Sequence, residues 1–469
     1  MDLQRAELWI AAQWDETIVP CLTEYICIPC KSPHFDAEWQ SHGHLGRAIA
    51  LAKQWGEQQA IPGLTIEVIQ LPGRTPLLWF EIPGDANRTV LLYGHLDKQP
   101  EMTGWRDGLG PWTPVIEDGK LYGRGGADDG YALFASLTAL RALHMQGIAH
   151  GRCVGLIECC EESGSYDLPF YLEALSARIG NVDLVIGLDS GCGNYDQLWV
   201  TTSLRGLAAG TLSVEVLSEG VHSGDASGIV ASSFRIARYV LDRLDDPRTG
   251  EVLPGEFHCT VPAERIEQAK LVGEVLGDSI IRKFPFVPGM QPMTQDAQGA
   301  VLARTWKPYL SIVGADGIPA IKDAGNVLRP GTSLKLSLRI PPSLDGVQAT
   351  RDMKRILESD PPYAAHVRFE PDQGATGWNA PATAPWLLSA LNAASQKFYS
   401  KPAVMMGEGG TIPFMAMLGK QFPQAQFLIT GVLGPRSNAH GPNEFLHIPY
   451  AKKLTACVAQ VIAAHHASA

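Results

Sequence analysis

The sequence predicts an α/β protein in which a sheet domain built from both ends of the chain is interrupted by an inserted α+β domain. Three observations lead there. Short apolar runs alternate with helix-like stretches near both termini, the pattern of a sheet flanked by helices. The middle of the chain carries two strand-like segments of alternating polarity, each followed by a helix-compatible stretch. Four of the apolar runs end on His, Asp or Glu, which puts polar groups together where sheet proteins bind ligands, beyond the carboxyl ends of the strands.

The elements follow in order. Residues 3 to 60 have amphipathic helical spacing in LWIAAQWDETIVPCLTEYI and again in LGRAIALAKQW. Strand-like runs come next: LTIEVIQL, PLLWFEI and TVLLYGH. The segment YALFASLTALRALHMQG repeats Leu133, Leu137 and Leu140 at helical spacing, and Gly147 stands at its C-cap. CVGLIE and VDLVIGL are short apolar runs of the kind buried in a parallel sheet, and AVMM and QFLIT repeat that character. A final helix is expected at about 448 to 464. In the middle, GTLSVEVL and TSLKLSLRI are strands, with helices at 232 to 244 and 346 to 358. Residues 246 to 310, rich in Pro, Gly and polar side chains, take no assignment beyond an elaborated loop or extra subdomain. The expected division is a first part of the sheet domain at 1–205, an inserted domain at 206–375 and a second part of the sheet domain at 376–469.

A chain of 469 residues accommodates two or three domains. Its 45% hydrophobic and 19% charged residues are ordinary for a globular protein, and its formal charge of -11 disfavours nucleic acid or an anionic membrane as a partner. The opening MDLQRAELWIAAQWDETIVP has no basic region followed by an apolar core, which argues against secretion. No apolar run reaches the roughly 18 residues of a membrane span. Nine cysteines, including Cys27-x-x-Cys30 and the adjacent Cys159 and Cys160, read as reduced thiols rather than a disulfide framework. A cytoplasmic location is expected.

The candidate site comes from the strand ends. His95 and Asp97 follow LLYG, Glu161 and Glu162 follow CVGLIE, Asp189 ends VIGLD, and His440 lies in the loop after QFLIT. Asp128 occupies the Gly-rich turn GRGGADDG at the start of a helix. Two imidazoles and several carboxylates at one sheet edge suit zinc or a similar divalent ion. Taken singly, each has a plainer reading: a structural histidine, an N-cap aspartate, a surface glutamate pair.

The segments YGHLDKQP, GW…PW.PVIEDGKLYGRGGADDG, EESGS, LDS, HSG, NVLRPG, LRIPP, GEGGTIP and NAHGPNE, in that order, give the chain a resemblance over nearly its whole length. It resembles the co-catalytic two-zinc metallopeptidases that include carnosinase-like dipeptidases, aminoacylases and glutamate carboxypeptidase. The resemblance implies an α/β/α catalytic domain of the zinc-peptidase type and a ferredoxin-like lid and dimerisation domain, hence a homodimer. It implies that His95 and Asp189 bind one zinc, Glu162 and His440 the other, and that Asp128 bridges both, with manganese or cobalt as alternatives. Glu161 is then the general base for a metal-bridging water and Asp97 orients His95. His222 of the HSG tract stabilises the oxyanion, and Asn326, Arg339, Gly410 and Thr411 meet the substrate. His222 also reads as a capping histidine, and the turn at Gly410 also reads as purely structural.

The chain departs from the family pattern in three places. Asp128-Asp129 is followed by Gly130-Tyr131 where Lys or Asn and then Gly are usual. Lys98 replaces an apolar residue and is expected to point to solvent. Gly407 stands where carnosinase-like relatives commonly have Arg, which puts recognition of a substrate carboxylate by that route in doubt. Asp at position 189 fits the dipeptidase branch. The implied activity is hydrolysis of the amide bond of dipeptides or short peptides, with N-acyl-amino-acid deacylation as the alternative.

Overall fold

Four strands, Gly151–Glu158, Asp85–His95, Leu184–Gly187 and Gln426–Ile429, run parallel in that order and form the centre and one edge of a six-stranded sheet. Leu77–Ile82 pairs antiparallel with the first of them, and Thr65–Ile69 pairs antiparallel with Leu77–Ile82 to complete the other edge. The structure, a computed structural model, describes residues 1–468. The central strands are almost wholly buried because Val, Leu and Ile occupy both faces, as a sheet covered by helices requires.

The helix Ala132–Met145 is apolar nearly all round and its residues are buried from Ala132 to Leu140, the state of a helix enclosed in a core. Gly147, at φ 63, closes it, with its N–H donating to His144 O at 3.0 Å, as expected from the sequence. The C-terminal helix Ile448–Ala467 packs on it and on the helices Leu3–Gln13 and Pro385–Tyr399. The N-terminal helical stretch is broken into Leu3–Gln13, a π-turn at Trp14–Ile18, and Val19–Ile26. One strand expectation changes: AVMM forms Val404–Glu408, which lies outside the six-stranded sheet.

The chain separates into two units. One comprises Met1–Thr202, Ala380–Met406 and Met417–Ala469; the other comprises Ser203–Asn379 and Gly407–Ala416. The second unit has its own four-stranded antiparallel sheet, ordered Tyr309–Asp316, Gly331–Ile340, Gly206–Glu215, His366–Pro371. With helices Ser233–Leu241 and Gly346–Glu358 it follows the β-α-β-β-α-β path of a ferredoxin-like fold. Gly331–Ile340 buries every second residue, and Leu334, Leu336 and Leu338 meet Ile236 and Val240 of one helix and Met353 and Leu357 of the other. Residues 246 to 310 contain the helices Ala263–Leu276, Ser279–Arg282 and Ala297–Thr305.

Candidate metal centre

Seven of the residues named from sequence come together at the carboxyl ends of the parallel strands in the first unit. His95 is the last residue of its strand and is fully buried. Its Nε2 lies 3.3 Å from Asp128 Oδ1 and 3.7 Å from Asp189 Oδ2. No aligned hydrogen bond reaches that nitrogen, so a buried lone pair or N–H faces two carboxylates across a gap. The other oxygen of Asp128, Oδ2, is 3.0 Å from His440 Nε2, which is also 3.4 Å from Glu162 Oε2. The donor atoms thus fall into two sets, His95 with Asp128 and Asp189, and His440 with Asp128 and Glu162, each within 4.8 Å. Asp128 belongs to both.

Local structure makes this possible. Asp128 sits at φ -126, ψ 91, a non-helical break inside the turn Gly126–Gly130. Glu161 and Glu162 open a short 3-10 turn, and their N–H groups donate to Asp97 Oδ1 and Oδ2 at 3.1 and 3.0 Å. Asp97 therefore spends its carboxylate on holding the two glutamates, while its main-chain O lies 3.1 Å from His95 Nδ1 and Oδ1 lies 3.5 Å from the same atom. Gln99 Nε2 donates to Glu162 Oε2 at 2.6 Å. Tyr131, one of the departures from the family pattern, donates to Leu188 O at 2.5 Å, beside Asp189.

Electrostatics expose the cost of this crowding. Burial, then Asp128, push the Asp189 carboxyl up to about 7; burial, then Asp128, push Glu162 up to about 8. Burial, then Asp189, hold Glu161 well above the usual carboxylate range. Burial also opposes ionisation of Asp128, but His440 and His95 hold it far below that range. Carboxylates packed this tightly relax when divalent cations enter. Imidazole nitrogen and carboxylate oxygen are donors suited to zinc and neighbouring ions, so the residues fit a pair of metal ions.

Two supports hold the site, and the first was not singled out from sequence. Arg124 and Glu444 form a buried ion pair; Glu444 Oε1 also accepts from Gly125 N at 2.8 Å, and Arg124 Nη2 donates to Gly441 O at 2.9 Å. The pair ties the turn of Asp128 to the loop of His440. Both residues lie inside quoted motifs, GRGGADDG and NAHGPNE, which was the available signal. Lys98 is the second, and it corrects an expectation: its side chain is 0% exposed and does not point to solvent. Its Nζ donates to Tyr25 O at 2.8 Å, in the last turn of helix Val19–Ile26, and to Ile28 O at 2.9 Å just beyond it, and lies over the Tyr25 ring. Its methylenes pack on Gly125, where an added Cβ would come within 2.6 Å, so the Lys98 stem and the glycine at φ 84 fit as a pair.

The remaining named residues lie in the second unit. His222 is exposed, and its Nδ1 accepts from Gly224 N at 3.1 Å, so the capping role is real. The same bond leaves Nε2 to carry the proton of the neutral ring, facing away from the cap. Val327, next to Asn326, pairs with His222, and Asn326 O accepts from Ser223 N at 2.9 Å. Arg339 Nη1 donates to Thr411 Oγ1 at 3.0 Å, next to Gly410.

Residues 91–464 match the family model described as peptidase family M20/M25/M40. The chain belongs to this family. It is 27% identical over 388 residues to a cysteinylglycine-S-conjugate dipeptidase of Corynebacterium striatum, covering 79% of this chain and 80% of that one. It is 28% identical over 392 residues to the human Beta-Ala-His dipeptidase, covering 80% and 73%. Among solved structures, the dipeptidase Dug1p of Saccharomyces cerevisiae superposes with a TM-score of 0.76 at 23% identity, over 99% of this chain and 98% of that one. Human carnosine dipeptidase 1 gives 0.75 at 22% identity, over 99% and 100%. These likenesses agree with the mixed α/β fold described above.

Removing one member of the buried ion pair leaves the other charge stranded, so Glu444→Ala is expected to lower unfolding stability by about 3–5 kcal/mol, measured by urea denaturation. Lys98 gives a pH signature. Burial pushes its ammonium down from 10.5 to about 8, so between those values the unfolded chain holds more protons and stability rises with pH. Relative to Lys98→Met, the native chain should therefore gain on the order of 3 kcal/mol from pH 8 to 10.5. Parallel pH dependences in the two proteins would contradict this.

Proposed function

We propose that the chain is a two-metal dipeptidase that hydrolyses the amide bond of dipeptides or short peptides. The observation that carries this reading is Asp128, whose two oxygens face different histidines, with Asp189 completing one donor set and Glu162 the other. His95 and Asp189 would hold one ion, Glu162 and His440 the second, and Asp128 both. When bound, such ions polarise a carbonyl and lower the pKa of water. Zinc is the proposed metal, with manganese and cobalt as alternatives.

The protein groups then divide the work. Asp97 fixes the main chain of both glutamates. Glu162 is committed to the donor set, which leaves Glu161 as general base: its carboxylate takes a proton from water and returns it to the leaving amine nitrogen. Burial, then Asp189, hold this carboxyl above its usual range, which makes it a better proton acceptor than an ordinary carboxylate. His222, with Nε2 as donor, is proposed to stabilise the oxyanion, and Asn326, Arg339, Gly410 and Thr411 to bind the substrate. The ferredoxin-like unit serves in this reading as lid and dimerisation domain. The nine cysteines are thiols, which fits a cytoplasmic location. No helix among the described residues is long and apolar enough to cross a membrane.

A panel of dipeptides and N-acyl amino acids tests the reading. Dipeptide cleavage should be lost on chelation and restored by zinc or manganese. Glu161→Gln should lower kcat by about 10²–10⁴-fold while leaving metal content unchanged. Undiminished turnover by Glu161→Gln, or activity that survives full chelation, contradicts the mechanism; cleavage confined to N-acyl amino acids assigns the site to deacylation instead.

A further inference from the structure

The helix Ala297–Thr305, inside the segment that sequence left unassigned, ends against Gly407, near the end of the strand Val404–Glu408 and just before the turn that follows it. A Cβ added at Gly407 would lie 2.9 Å from Thr305 Cβ and 2.5 Å from Ser203 Oγ. No side chain fits at position 407 while this helix is in place. The helix also brings a cation to the turn: Arg304 Nη2 is 3.4 Å from Glu408 Oε2, with the arginine side chain 23% exposed.

The surroundings are rich in positive charge. Arg205 donates from Nε to Gly409 O at 3.1 Å and from Nη1 to Lys307 O at 3.3 Å, so it stitches the turn to the chain after the helix. Arg339 reaches Thr411, and Lys283 lies within electrostatic reach of Arg304 and Glu408. Burial, then Arg339 and Arg304, push the Arg205 guanidinium down to about 10. Glu408 faces two of these cations, Arg304 and Lys283, and like charges held together are relieved by an anion. The Arg304–Glu408 contact at 3.4 Å is longer than the roughly 2.7–2.9 Å of a tight charge-assisted hydrogen bond. An entering carboxylate can therefore compete for the guanidinium.

We propose that Arg304 is a specificity-determining residue that binds a carboxylate of the substrate at the Glu408–Thr411 turn, taking the place of a side chain at position 407. The inference rests on the peptidase reading, which puts Arg339, Gly410 and Thr411 at the substrate. It assigns a function to the inserted helices: they deliver a guanidinium that the turn itself lacks. The favoured class is a short peptide with a free C-terminal carboxylate.

Binding to peptides that cannot be cleaved tests this separately from catalysis. Three Ala-x analogues with a CH2–NH link in place of the amide would be compared by calorimetry on the metal-loaded full chain: the Ala-Ala acid, its C-terminal amide, and an Ala-Asp amide whose carboxylate is on the side chain. The native chain should bind the acid about tenfold or more tighter than the amide, and Arg304→Gln should bring the two within about threefold of each other. Arg304→Lys, which keeps the charge, should retain part of the preference. A preference shown instead by the Ala-Asp amide and lost in Arg304→Gln supports the site with a side-chain carboxylate as its ligand. A carboxylate preference that survives in Arg304→Gln, its absence from the native chain, or its equal loss in both variants overturns the assignment. An Arg304-dependent preference in a chain that cleaves no peptide would refute the peptidase reading and leave the anion site standing.

Discussion

Buried carboxylates without enough compensating charge are the constraint around which the first unit is organised. Asp128, Asp189, Glu161 and Glu162 share one sheet edge, and burial plus mutual repulsion raise three of them well out of their usual range. Such a cluster is costly in a folded chain unless cations or donors offset it. The protein supplies part of the offset itself. Asp97 collects the N–H groups of the two glutamates, Gln99 donates to Glu162, and His95 and His440 take one oxygen each from Asp128. The uncompensated remainder lies in the two donor sets that share Asp128, which is the arrangement the proposed pair of divalent ions would offset.

Rigidity around the cluster comes from interactions one step removed from it. The buried Arg124–Glu444 pair joins the Asp128 turn to the His440 loop, so the donors on either side of Asp128 are set by one ionic contact. Lys98, three residues after His95, anchors that loop to the end of a helix and packs its stem on Gly125, at the foot of the same turn. In the ferredoxin-like unit the charge problem is reversed: Arg205, Arg304, Arg339 and Lys283 surround a turn that offers Glu408. The first cluster is short of positive charge and the second of negative, which is what the proposed metal centre and the proposed carboxylate-binding turn respectively require.

The strand-end rule made the centre legible in the sequence. Apolar runs long enough for buried strands ended on His95, on the residues before Glu161, and just before Asp189, and the structure places all three ends side by side. The helix Ala132–Met145 and its Gly147 cap were legible for the same local reasons. Long-range pairings were not. Arg124 and Glu444 are 320 residues apart, and no periodicity links them. Lys98 looked like a surface residue because a lysine is seldom wholly buried, and its partners are main-chain carbonyls that leave no mark on composition. The helix Ala263–Leu276 buries a narrow stripe of Arg265, Ala269, Val272 and Gly273 amid polar residues, so its apolar signal is weak. Val404–Glu408 has the composition of a central strand, yet composition does not say which sheet a strand joins.

The decisive measurement is the anomalous X-ray scattering of crystals of the full chain loaded with zinc and collected on both sides of the zinc absorption edge. Two peaks about 3.5–4 Å apart are expected, one beside His95 and Asp189, the other beside Glu162 and His440, with Asp128 between them. A single peak at full loading, or two peaks that do not share Asp128, would contradict the two-metal centre on which the proposed chemistry depends.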